Sequence, residues 1–146
     1  MCASATGPTG AGVSGGGYVN IQNIDALAGY SNYGGGVNVA APGGNAIPVW
    51  AACSGFTLHP ALVGCRGRFY DPATGAWSAS IVGLSGTSMA APHTSGVAAL
   101  IASNGGGRSQ IEAQLSKSAD DLGQPGFDPA YGAGRVNAAR ASGANQ

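Results

Sequence analysis

The string Gly86-Thr87-Ser88-Met89-Ala90-Ala91-Pro92-His93 puts a hydroxyl nucleophile where an apolar helix begins. Backbone N–H groups in the first turn of a helix have no helical acceptor, and the macrodipole favours negative charge there. Both features suit the developing oxyanion of an acyl-transfer reaction, with the Ser88 backbone N–H as one donor. Gly86 lets the chain pass tightly into the turn, and Thr87 precedes the nucleophile. The small Ala90 and Ala91 leave room for a substrate above the helix. Pro92 falls in the first turn, where a missing N–H costs least. A bare Gly-Thr-Ser triplet reads as a simple helix N-cap; only the longer string points to chemistry.

A serine nucleophile needs a base, and the chain has two histidines. His93 follows Ser88 by five positions, about 140° around a helix axis at ~100° per residue, so it points away and reads as a buried structural histidine. His59, between Leu58 and Pro60, is the freer candidate for a surrogate base. Asp120 and Asp121 lie near a helix end and read as a solvated face. The six acidic residues do not cluster with the spacing of calcium ligands, and the Cys53/Cys65 spacing is no usual zinc signature. Neither a metal nor a cofactor is expected.

The elements that must position Ser88 follow from pattern. Residues 1–17 are rich in Gly, Ser, Thr and Pro and read as a loop, and residues 18–30 as a short strand or surface loop. Val37-Asn38-Val39-Ala40-Ala41 reads as a short buried strand stopped by Pro42-Gly43. Residues 46–82 read as a hairpin-rich insertion, with strand character at Ile47–Cys53, Gly67–Tyr70 and Ala76–Val82 and a turn at Asp71–Gly75. A helix, apolar nearly all round and therefore central and buried, runs from near Ser88 through Ile101 to a stop at Asn104-Gly105. A second begins at Ser109-Gln110-Ile111-Glu112, a capping-box pattern, and carries an apolar stripe of Ile111, Leu115 and Leu122. A Gly-rich approach, Tyr131–Val136, leads to a short last helix, Asn137–Ala141.

The 146 residues fit one domain, and 44% of them are hydrophobic, which excludes core-poor disorder. Only 8% are charged, the net charge is zero, and the six basic residues are scattered. With no basic stripe and no long apolar run, neither nucleic acid nor a membrane is expected as a partner. Cys53 and Cys65 flank a segment containing Pro60, where a disulfide would staple a loop; two buried free thiols are the alternative. Cys2, the odd cysteine, reads as a small core residue. Met1–Pro8 lacks the charged and apolar regions of a signal peptide, so a secreted form would have been processed, truncated or re-expressed.

The serine string, with Gly96-Val97-Ala98-Ala99-Leu100-Ile101 behind it, resembles the serine-motif region of the subtilisin-like serine peptidases, the subtilases (peptidase family S8). Tyr30-Ser31-Asn32-Tyr33-Gly34 and Val37–Gly43 resemble the strand and turn upstream of that family's serine. Tyr131–Ala138 is similar to its terminal Gly-x-Gly-x-Val-Asn-Ala segment. The resemblance implies an α/β fold, here a partial subtilisin-like domain over residues 1–146: a short, mostly parallel sheet, a buried central helix starting at the serine, and a β-hairpin insertion. It implies acyl transfer through Ser88 on a peptide or ester substrate. Gly86, Thr87, Pro92 and His93 carry over as structural members of the motif. Secretion is implied too, in keeping with a Cys53–Cys65 disulfide.

Subtilases order their triad Asp, then His, then Ser. No Asp-Thr/Ser-Gly, His-Gly-Thr or Gly-Asn oxyanion segment occurs here, so the resemblance covers the C-terminal portion of a catalytic domain. In subtilisin itself, loss of the triad lowers kcat by about 10⁶, roughly 8 kcal/mol. Three readings follow: a serine hydrolase completed by a complementing N-terminal half, a small promiscuous esterase using Ser88 with His59, or a non-catalytic fragment or interaction module. An incomplete parallel sheet exposes an edge, through which a second copy or the complementing half would pair.

Overall fold

The computed structural model describes residues 1–14, 17–53, 70–71, 76–77 and 80–143. Its strands in chain order are β1 (Ala3–Thr6), β2 (Gly10–Ser14), β3 (Gly17–Gln22), β4 (Val39–Pro42), β5 (Val49–Cys53), β6 (Tyr70–Asp71), β7 (Ala76–Trp77) and β8 (Ser80–Leu84). Its helices are α1 (Thr87–Ser103), α2 (Arg108–Ser118) and α3 (Ala138–Ala141).

The centre is a parallel pair, β1 on β4, in register from Ala3↔Val39 to Thr6↔Pro42. Segment 134–136 extends it: the Ala40 N–H donates to the Gly134 carbonyl at 2.8 Å, and the Val136 N–H donates to the Ala40 carbonyl at 2.9 Å. Helix α1 crosses β1 and β4. It can lie close because the contact is built from small side chains: Ala5, Ala28, Ala41 and Ala90 form one buried cluster. A second cluster, Val97, Ile101, Leu115 and Ala141, joins α1 to α2 and α3, and Val136 packs against both. Two antiparallel pairs flank this core, β2 with β3 and β5 with β8, and a short third pair joins β6 to β7.

A strand is found at the expected Val37–Ala41, but it runs Val39–Pro42, starting two residues later and taking in Pro42; the helix expected near Ser88 begins at Thr87, and β5 pairs with β8. Other readings are corrected. Residues 1–17 are not simply a loop: β1 is buried and β2 forms a hairpin with β3. The small polar residues that suggest a loop, Ser4 and Thr6, are buried in β1, which takes its backbone partners from β4. Helix α1 is not buried all round. Ala90, Thr94, Val97 and Ile101 form one buried stripe, while Leu100 is 42% exposed, because the parallel pair covers a single side of the helix. Helix α2 starts one residue before the expected Ser109 cap. Gly107 is its N-cap, and the Gln110 side chain accepts the Gly107 N–H at 2.8 Å. Leu122 falls beyond its end. Cys2 is exposed at the start of β1 instead of buried. The Cys53–Cys65 pairing and the turn after Asp71 lie outside the described residues.

Candidate active site

Ser88 occupies the second position of α1 and is exposed to solvent. The turn that delivers it is fixed by backbone bonds. Gly86 donates its N–H to the Gly43 carbonyl, just beyond β4, at 2.8 Å. The Gly86 carbonyl then accepts from Met89 at 2.9 Å and Ala90 at 3.4 Å, closing the first turn around Ser88. The Thr87 and Ser88 N–H groups precede any intrahelical acceptor. Gly43 has to be glycine: a Cβ there would lie 2.5 Å from the Ala5 Cβ and 2.9 Å from the Gly86 carbonyl oxygen. Ser88 thus stands at the C-terminal ends of β1 and β4, the end of an open parallel sheet where ligands bind.

Tyr30 completes this turn. Its hydroxyl lies 2.7 Å from the Gly43 carbonyl oxygen and close to that of Gly44. Burial pushes the phenol pKa upward, against a smaller opposing effect of a hydrogen bond from the Gly86 backbone. Sequence reasoning saw Tyr30 only as part of a motif, since the carbonyls it bonds lie thirteen and fourteen positions away.

His93 is not the buried histidine expected from sequence. It is exposed on α1, and its Nδ1 lies 2.8 Å from the Met89 carbonyl oxygen one turn back, so Nδ1 carries the proton it donates. A helical residue five positions on is turned away from Ser88, and the exposed side of α1 lets its ring reach solvent. Thr87 and Pro92 are exposed and Gly86 is half-buried, all in the first turns of α1. His59 lies outside the described residues, as do Cys65 and the side chain of Cys53. Among the described residues no group of three His, Cys, Asp or Glu side chains converges as metal ligands, and no helix is long and apolar enough to cross a membrane.

Asp120 is not on a solvated face. Its carboxylate accepts from Arg135 at 2.8 Å, Arg140 at 3.1 Å and Asn137 at 3.0 Å. Arg135 also reaches Asp25 at 2.6 Å. The Arg135 hydrogen bond is the main reason that the Asp120 pKa is lowered, and bonds to Asp120 and Asp25 raise that of Arg135. This network ties Arg135, Asn137 and Arg140 to Asp120 and Asp25, and so belongs to the scaffold. Asp121 accepts the Gly126 N–H at 2.8 Å and shapes the loop after α2.

A groove of about 310 Å³ opens beside the central helix, lined by Ala3 of β1, Ala91, Thr94 and Ala98 of α1, and Ile111 and Leu115 of α2.

An exposed serine in the first turn of a helix, set over the ends of parallel strands, is the arrangement of a serine-hydrolase type of α/β site. The model of the subtilase family matches residues 11–134, and the chain belongs to that family. Thermitase from Thermoactinomyces vulgaris is 34% identical over 117 residues, 80% of this chain and 32% of thermitase. An extracellular serine protease from Serratia marcescens is 51% identical over 55 residues, 36% of this chain and 5% of that protein. Fervidolysin from Fervidobacterium pennivorans, described as a keratinolytic enzyme related to subtilisin, superposes with a TM-score of 0.63 at 26% identity, over 97% of this chain and 18% of its own. A protease from Pseudoalteromonas arctica gives a TM-score of 0.58 at 32% identity, over 82% of this chain and 32% of its own. The chain therefore spans about a third of the length of thermitase, and less of the longer relatives.

Proposed function

We propose that the chain is the nucleophile-bearing part of a subtilisin-type serine peptidase and that Ser88 is the acylated residue. The observation that carries this reading is the exposure of Ser88 in the first turn of a helix anchored, through Gly86, to the end of β4. In the reaction, the Ser88 Oγ forms a bond to the substrate carbonyl carbon while its proton passes to a histidine base. The oxyanion is met by the Ser88 N–H and by a second donor. Collapse of the intermediate breaks the bond to the leaving amine or alcohol, which takes the proton back from the base. Water then releases the acyl group by the same route.

The base, its orienting carboxylate and the second donor come from a catalytic-domain segment outside these 146 residues. Thermitase has about two-thirds of its length outside the match, and the apolar groove along α1 is the face on which such a segment packs. The substrate is a peptide or an ester. The likeness to the extracellular Serratia protease supports secretion.

The test is covalent labelling by a fluorophosphonate, read by peptide mass, on the chain alone and on the chain co-expressed with the part of thermitase that precedes the match. Labelling at Ser88 in the complemented protein, absent from Ser88→Ala, is the expected result. A folded, complemented protein that does not label would overturn the reading. Labelling of the chain alone that disappears in His59→Ala would assign the base to His59 instead.

A further inference from the structure

The Gly43-Gly44 pair that anchors the nucleophile's turn has every backbone group in use. Both N–H groups donate to the Thr6 carbonyl, at 2.9 and 3.2 Å. The Gly43 carbonyl accepts from Gly86 at 2.8 Å and also from the Tyr30 hydroxyl, which lies against the Gly44 carbonyl as well. Tyr30 is the side chain in this set, and its own position is fixed from behind. Ser31 donates its N–H to the Ala28 carbonyl at 2.8 Å, and its Oγ accepts the Ala5 N–H of β1 at 2.9 Å. Gly43 also leaves the space the phenol needs, since a Cβ there would lie 3.2 Å from the Tyr30 oxygen.

We infer that Tyr30 is a positioning residue for Ser88: its hydroxyl, shared between the Gly43 and Gly44 carbonyls, fixes the turn from which Gly86 hangs and so sets where α1 begins. Tyr30 is 44% exposed, yet its hydroxyl is bonded to the Gly43 carbonyl, so the clamp is the hydroxyl more than the packing of the ring. Its raised pKa keeps the phenol a donor across the neutral range. As a statement about reactivity this rests on the reading of Ser88 as the nucleophile; as a statement about the turn it does not.

Tyr30→Phe removes the clamp and keeps the ring. Amide exchange followed by NMR on this chain is expected to speed up about fivefold at Gly86 and Met89, while Val97 and Leu115 keep their protection, because one hydrogen bond is worth about 1 kcal/mol. In the complemented protein the fluorophosphonate rate at Ser88 should fall by a similar factor. Unchanged protection at Gly86 and Met89, or an equal loss at every amide, would overturn the inference. If Ser88 does not label in any form, the proposed function fails while the exchange data still decide the role of Tyr30. Should Tyr30→Phe not fold, the wild-type chain supplies the answer: the carbonyl ¹³C signals of Gly43 and Gly44 should move with phenolate formation above about pH 10. Signals that stay fixed through that titration would sink the clamp.

Discussion

Asp120 gathers Arg135, Arg140 and Asn137 around one carboxylate whose side chain is 27% exposed. Its folded-state pKa lies below the ordinary value, chiefly through the Arg135 hydrogen bond. A depressed carboxylate pKa contributes stability that is complete above the unfolded value, about 3.9, and is lost as pH falls through the folded value. Acid unfolding below about pH 4 should therefore be steeper in the wild type than in Asp120→Asn. At neutral pH that variant should be less stable by about 2 kcal/mol, since hydrogen bonds to charged groups are worth about that much. Urea titrations across pH read both effects; parallel pH profiles would show that Asp120 is not the linked group. The sequence could not reveal this cluster, because Asp25 and Asp120 lie 110 and 15 positions from Arg135. The place of Ser88 in the first turn of α1 was legible because its signals are local to one helix start. His93→Ala should leave Ser88 labelling in the complemented protein within about twofold of wild type, as expected of a surface change away from the reacting atoms. A loss of orders of magnitude would make His93 part of the site.

Helix α1 shows what patterning conveys about an element and what it does not. Its limits were readable, because Gly86 and the Asn104-Gly105 stop bracket an apolar run. Its burial was not, because a helix of Ala, Val, Leu and Ile looks alike on every face, and the side that packs is decided by what lies against it. Here that is β1 and β4 beneath Ala90, and α2 beside Val97 and Ile101. Strand β4 carries its own signal in Val37–Ala41. Strand β1 carries little, because its residues are small and partly polar, and it becomes a strand by pairing with β4. The packing makes a quantitative contrast between two leucines. Leu115, 1% exposed in the cluster of α1, α2 and α3, should cost about 2–5 kcal/mol on replacement by alanine, the range for buried leucines. Leu100→Ala, at a 42% exposed position, should change stability by only about 0.5 kcal/mol. Denaturant midpoints of the two variants compare them directly, and equal losses would mean that Leu100 is covered in solution.

Across the whole molecule, charge and exposed apolar surface have to be considered together. Only 8% of residues are charged, so few ionic groups hold the chain apart from others, and the groove beside α1 is bordered by Arg108 and Glu112 but floored by Ala3, Ala91, Ala98 and Ile111. On the outer edge of β1, Ala5 is bonded to Ala28 and Ser31, so that position offers no free ladder group to a strand. Ser95 lines the groove, is exposed, and among the described residues bonds to the Ala91 carbonyl of its own helix, so Ser95→Glu should leave the melting temperature of the isolated chain nearly unchanged. In the complemented protein the same substitution would bury an unpaired carboxylate, which is unfavourable by well over 1 kcal/mol. Ser88 labelling under limiting concentrations of the thermitase segment should then fall at least about tenfold. If Ser95→Glu labels as the wild type does, the completing segment lies on another face. If sedimentation shows that the wild-type chain is a dimer and Ser95→Glu a monomer, the groove's occupant is a second copy of this chain.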